Sequence, residues 1–182
     1  MTNLLDRAQA RARKRGMTLI EAVLYIVIAL AVMIGGIIFF QQASLSARIN
    51  DSVRTVVSLQ SEVRGLHQSA ANFGTADITP ALIASGAVPA KLVNGTTLNN
   101  EFGGTITVTG AGSTFTVAYT NVPGEACVRL APFSANGQGV AGVGIESVTI
   151  GGAAATSLTP AEAAAACGGA DFGGTVSWSF AR

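Results

Sequence analysis

The chain predicts an α+β fold: one long N-terminal α-helix packed on an antiparallel β-sheet head. Three observations carry that expectation. No proline occurs before Pro80. Apolar residues recur at helical spacing as far as Phe73. Beyond residue 100 the pattern changes to apolar residues alternating with small polar ones, the period of a half-buried strand.

Residues 1–16 are polar and basic and read as a removable leader outside the fold. They hold Arg7, Arg11, Arg13, Lys14 and Arg15 against Asp6, while the remainder holds six basic and nine acidic side chains. The whole chain has a formal charge of +1, so losing the leader leaves it net acidic. A basic block beside an apolar span stays on the cytoplasmic side. The orientation that follows is leader inside, remainder outside.

Residues 17 to about 73 read as one helix. From Ala22 to Ala47 there is no charge, and the lone acid before that run is Glu21. A segment apolar all round is built for lipid. Residues 17–47 are therefore the transmembrane or assembly half, and residues 48–182 the globular head, which includes the second half of the helix. In that second half Ile49, Val53, Val56, Leu59, Val63, Leu66, Ala70 and Phe73 form a stripe. Arg48, Asp51 and Arg54 sit three apart, close enough for their charges to meet on the exposed side. At ~1.5 Å per residue such a helix reaches about 85 Å, so half of it must project from any small globule. Gly35-Gly36 interrupts the apolar run. The pair either admits a neighbouring helix closely or marks a place where the helix stretches, and both readings stay open.

Residues 74–100 connect helix and sheet. Thr79-Pro80 reads as a helix start with a capping hydroxyl, followed by a short helix Ala81 to Ser85 that Gly86 and Pro89 end. Asn94-Gly95 is a turn signal. Residues 101–182 read as sheet. Ile106 and Val108, then Phe115, Val117 and Tyr119, alternate with polar residues on either side of Gly110-Ala111-Gly112, a hairpin signature. Ile145 to Ile150 is a further strand, with Val148 and Ile150 on one face. Val176, Trp178 and Phe180 alternate with serines in the last strand, which makes Trp178 a core residue. Thr159-Pro160 starts an alanine-rich helix that ends at Cys167 and Gly168. The helix stripe is the natural partner of the sheet's inner face.

Cys127 and Cys167 both fall on the exported side, where an even number predicts a disulfide; the alternative is two buried thiols. The bridge would stabilise by roughly 3–4 kcal/mol. Near-neutral charge gives no sign of nucleic acid or an acidic substrate. An enzyme is not expected. His67 is the lone histidine, the cysteines are too distant for a redox pair, and the glycine pairs at 103, 151, 168 and 173 lack a following lysine. Asp171 stands alone near the C-terminus, so no metal or other cofactor is expected.

Gly16-Met17-Thr18-Leu19-Ile20-Glu21, after a basic run and before the apolar span, resembles the processing site of type IV prepilins. The resemblance implies a cut between Gly16 and Met17 by a membrane peptidase on the cytoplasmic face, with N-methylation of Met17. A methionine in first place and a sixteen-residue leader look like the type IVb branch. Asn100-Glu101-Phe102-Gly103-Gly104 is also similar to a segment of type IVb pilins, including the major pilins of conjugative thin pili. The chain lacks the proline that many pilins carry in the first helix, so no kink is expected.

The resemblance implies a type IV pilin-like fold and a structural role, as the major subunit of a filament used for adhesion or conjugation. The partners it implies are copies of the same chain in a helical filament, the prepilin peptidase and the pilus assembly machinery. The precursor would sit in a bacterial inner membrane and the assembled pilus outside the cell. Glu21 would be the assembly residue. A carboxylate in lipid costs a few kcal/mol unless paired, and the amine freed at Met17 is the available partner. Surface chemistry rich in Gly, Ser, Thr and Asn suits dense lateral packing. Within the same class, a type II secretion pseudopilin or a minor pilin is the rival. In another class the rival is a secreted binding protein whose first 43 residues are a signal peptide, giving a start near Arg48, and an uncut single-span anchor is a third option.

Overall fold

The computed structural model describes residues 18–168 and 173–182. Gly16, Met17 and Asp171 lie outside the described residues. The chain divides into two compact units, the second of which is Leu45–Arg182.

Helix α1 spans Leu19–Leu66. Thr18 begins it: its hydroxyl accepts from the Glu21 amide at 3.3 Å and its carbonyl from the Ala22 amide at 3.0 Å. Thr18 and Glu21 thus stand at the two ends of a Thr-x-x-Glu capping motif, which satisfies an amide that would otherwise be orphaned. The helix runs unbroken through Gly35 and Gly36, and a Cβ added at either meets nothing within 4 Å.

Within the second unit, α1 buries Ile49, Ser52, Thr55, Val56, Leu59, Gln60 and Val63. The apolar stripe is therefore real but holds polar side chains as well. Leu66, expected on it, is 43% exposed, and half-buried His67 takes the next inward place. The helix also stops at Leu66 rather than near Phe73. Gly65 weakens the last turn. Arg64 then ties it down by donating to the Ala181 carbonyl at 2.8 Å. After a short turn, the Asn72 side chain accepts from the Gly74 amide at 3.0 Å and Gly74 takes a positive φ of 73°. Phe73 is still buried, edge-on to Phe115 at 4.9 Å between ring centroids.

Helix α2, Thr79–Ala84, forms where Thr79-Pro80 predicts it, but not with the predicted cap. Asp77 accepts from the Thr79 amide at 2.9 Å, and the Thr79 hydroxyl is taken up by the Val108 amide instead. A 3₁₀ turn, Ala90–Leu92, leads into strands β1 (Val93–Asn94) and β2 (Thr97–Asn99), which turn at Gly95. The rest is β3 (Thr105–Ala111), β4 (Thr114–Pro123), helix α3 (Gly124–Leu130), β5 (Gln138–Gly139), β6 (Gly142–Val143), β7 (Ile145–Ile150), β8 (Ala153–Ala155), helix α4 (Pro160–Ala166) and β9 (Gly173–Ala181). Helix α3 is absent from the sequence expectation, which reads this stretch as sheet. Its seven residues, Gly124 to Leu130, are too few to display a 3.6-residue period. Helix α4 has the full capping box, Thr159 with Glu162.

The seven-stranded sheet has the order β1-β2-β3-β4-β9-β7-β8, and every pairing is antiparallel. The last strand, β9, is thus enclosed between β4 and β7. One face supplies the core. Val108, Phe115, Val117, Tyr119, Val176, Trp178 and Phe180 are fully buried in one cluster with Val56, Leu59 and Val63 of α1. The fold is the α+β arrangement expected, with α1 on an antiparallel sheet.

The opposite face is a lattice of hydroxyls. Thr109, Thr116, Ser179 and Ser147 stand side by side across β3, β4, β9 and β7. Thr107, Ala118, Ser177 and Thr149 form the next row.

Candidate assembly site

Among its described residues the first unit offers apolar surface and one carboxylate, Glu21. No residue in the most apolar stretch of α1 is buried, and the helix is long and apolar enough to cross a membrane. Phe39 and Phe40 are 73% and 72% exposed. Glu21 is exposed in the first turn, where the helix dipole favours negative charge. Among the described residues no cation pairs with it. The amine proposed as its partner belongs to Met17, outside the described residues.

In the head, the Asn100–Gly104 segment fastens the sheet to α1. Asn100 is buried, and its side chain closes the turn from both ends. Its oxygen accepts from the Phe102 and Gly104 amides at 2.9 and 2.8 Å, while its nitrogen donates to the Thr120 carbonyl at 2.7 Å. The turn it holds presents Glu101 to α1. The Glu101 carboxylate accepts from the Ser52 hydroxyl at 2.9 Å and the Thr55 hydroxyl at 2.8 Å. Arg48 donates to the Glu101 carbonyl at 3.4 Å. Gly104 is compulsory, because an added Cβ would overlap the Thr120 carbonyl, with the carbon at 2.7 Å. Periodicity points to Ile49, Val56 and Leu59 but passes over Ser52 and Thr55. The signal that could have found them is the i, i+3 spacing of two small hydroxyls on the inward side.

Arg48, Asp51 and Arg54 form no ion pair. The one salt bridge among the described residues is Arg129 to Glu125 at 2.9 Å, on the surface of α3. Tyr119 and Trp178 meet edge to face, 5.5 Å between centroids. Among the described residues the buried Tyr119 hydroxyl and Trp178 indole nitrogen have no hydrogen-bond partner. Burial pushes the Tyr119 hydroxyl well above the usual tyrosine range, and the Glu101 charge adds to the rise.

Cys127 of α3 and Cys167, just past α4, form a disulfide, and both are fully buried. Hairpin β5–β6 clasps α1: the Gln60 amide donates to the Val143 carbonyl, and Gly142 leaves room for the Gln60 side chain. His67 sits 2.9 Å from the Val63 carbonyl through Nδ1, a helix-end contact without a catalytic neighbour. No group of three or more metal-ligating side chains occurs among the described residues.

The family described as PilS N terminal matches residues 46–181, three quarters of the chain. The chain belongs to the PilS family. This bears out the resemblance to type IVb pilins, although the match lies in the head and not in the cleavage motif. The chain is also similar to two proteins named major structural subunit of bundle-forming pilus. One is from Escherichia coli O127:H6 (strain E2348/69 / EPEC) and one from Escherichia coli O111:H-. Each is 29% identical over 184 residues, covering 92% of this chain and 95% of that protein. No solved structure matches. Membership of the PilS family also displaces the reading as a secreted binding protein.

Proposed function

We propose that this PilS-family chain is a structural subunit, the major pilin, of a type IVb pilus. One observation carries the reading. A pilin-family head continues a helix whose N-terminal half exposes a wholly apolar surface, with one acid at its start. Such a surface is stable in lipid or against copies of itself, and not in water. The name shared by the two Escherichia coli relatives supports the major rather than the minor role.

In this reading residues 1–16 keep the precursor's amino end in the cytoplasm, and residues 17–47 anchor it in the inner membrane. Prepilin peptidase cuts between Gly16 and Met17 and methylates Met17. The assembly machinery then moves the apolar half from lipid into the filament core, and the head, residues 48–182, becomes the extracellular surface. Glu21 sets axial register by pairing with the Met17 amine of a neighbouring subunit. Adhesion or conjugation would be a property of the filament as a whole.

Mass spectrometry of sheared filaments tests the processing: N-methylated Met17 is expected, whereas a start near Arg48 or an intact leader overturns it. Glu21→Gln keeps membrane insertion but removes the charge. The expected result is at least tenfold fewer filaments, since an intramembrane charge pair is worth a few kcal/mol. Normal filament yield would reject the register role.

A further inference from the structure

We propose that Asn94 is a site of spontaneous covalent modification, where the backbone of the β1–β2 turn converts the asparagine to aspartate and isoaspartate. Nothing in this chemistry depends on the pilus reading. The chain contains two Asn-Gly pairs, Asn94-Gly95 and Asn136-Gly137, and both asparagines are exposed. In such a pair the glycine nitrogen can close a five-membered ring onto the asparagine side-chain carbonyl carbon, and no Cβ shields it. That nitrogen must first lose its proton and then reach the carbon. An amide held by an acceptor, in a turn fastened on both sides, does neither. The two turns differ in this respect. The Gly137 amide donates to the Ser134 carbonyl at 3.0 Å, and the Gly137 carbonyl accepts from the Gly144 and Ile145 amides at 2.6 and 3.0 Å. The Ser134 amide donates across the same loop to the Gln138 carbonyl at 2.6 Å. A Cβ on Gly137 would stand 3.1 Å from the Ile145 carbonyl oxygen, so the loop is closed around it. Gly95 is open by contrast. It is the first of two turn residues between the paired Asn94 and Thr97, and among the described residues nothing accepts from its amide. A Cβ built on it meets nothing within 4 Å. Its positive φ of 62° is what keeps a glycine there. The turn thus selects the one residue type that leaves the attacking nitrogen bare.

The step balances with water as its only co-reactant. The Gly95 amide gives its proton to solvent base, and the nitrogen bonds to the Asn94 side-chain carbonyl carbon. The bond from that carbon to the side-chain nitrogen breaks, and the nitrogen leaves as ammonia with a proton taken from solvent. Water then opens the cyclic imide. Opening at the side-chain carbonyl gives aspartate in a normal chain. Opening at the main-chain carbonyl gives isoaspartate, with the main chain rerouted through the side chain and one carbon longer. One water enters, one ammonia leaves, and nothing is oxidised or reduced. Either product puts a carboxylate on β1, the edge strand of the sheet. Isoaspartate also disturbs the register that pairs Val93 with Leu98 and Asn94 with Thr97.

The test incubates the full chain in detergent at mildly alkaline pH, samples it over days, and digests it for mass spectrometry. The mass separates asparagine from its products, and fragmentation separates aspartate from isoaspartate. A parallel sample unfolded in urea with reductant gives the rate of each Asn-Gly pair without structure. The folded rate divided by the urea rate should be at least roughly tenfold higher for Asn94 than for Asn136, the factor that one net hydrogen bond makes in an equilibrium. Asn94→Ser should abolish the modified β1–β2 peptide and leave the Asn136 rate unchanged. A ratio for Asn136 equal to or above that for Asn94 overturns the proposal, as does an Asn94 that stays intact in the folded chain while it converts in urea.

Discussion

Replacing Glu101 by alanine tests the coupling of sheet to helix. Two hydroxyls lose a charged acceptor: Ser52, fully buried, at 2.9 Å, and Thr55, 8% exposed, at 2.8 Å. A hydrogen bond to a charged group contributes about 1.5–3 kcal/mol. Both hydroxyls can turn back to a carbonyl one helical turn earlier, which recovers part of the loss. The expected net cost is roughly 2–4 kcal/mol. For a unit of this size, about 3.5 °C of Tm accompanies each kcal/mol, so the melting temperature should fall by roughly 7–14 °C. The assay is a thermal melt of the full chain in detergent, followed by the fluorescence of Trp178, the single tryptophan and a fully buried one. Glu101→Gln keeps one acceptor oxygen and should lose about half as much. A melting temperature within about 2 °C of wild type for Glu101→Ala would refute the reasoning, and Asn100–Gly104 would then be a turn and not a fastening.

Other outcomes follow from the same geometry. Gly104→Ala forces a Cβ into the Thr120 carbonyl and should destabilise by roughly 3 kcal/mol, read as a lowered urea midpoint. Replacing Cys127 and Cys167 together by serine reopens a separation of 40 residues and should cost about 4 kcal/mol; with both sulfurs buried, native protein should also resist reductant until it unfolds. The Tyr119 hydroxyl titrates higher folded than unfolded, so stability should hold below about pH 10 and fall as pH rises from there toward the folded value. Tyr119→Phe should remove that alkaline loss in a chemical-denaturation series taken across pH.

Much of the fold was legible from residue patterns, because long elements repeat their period. The alternation of Phe115, Val117 and Tyr119 and of Val176, Trp178 and Phe180 identifies two strands, which pair in register. Thr159-Pro160-Ala161-Glu162 marks a helix start because capping chemistry is local. The errors lie where tertiary context outweighs local signals. Leu66 fits the stripe yet faces out, since the helix ends there on an arginine anchored to the last strand. Thr79 looks like a cap and instead serves the β3 backbone. Helix α3 is too short to show a period. The candidate site was legible in part. Glu21 is conspicuous as the one acid beside the apolar run, and the Asn100–Gly104 segment stands out as a motif. Its partners Ser52 and Thr55 are ordinary hydroxyls until the fold brings Glu101 to them.

The place of β9 sets a condition on biogenesis. Its ten-residue neighbour β4 is synthesised nearly fifty residues before the strand that pairs with it there. The aromatic interior, which takes Val176, Trp178 and Phe180 from β9, cannot close until β9 has been made, whereas the Cys127–Cys167 bridge needs the chain only as far as Cys167. A chain truncated by even a dozen residues would lack the middle of its sheet, remain open to proteases, and be cleared before it could join a growing polymer.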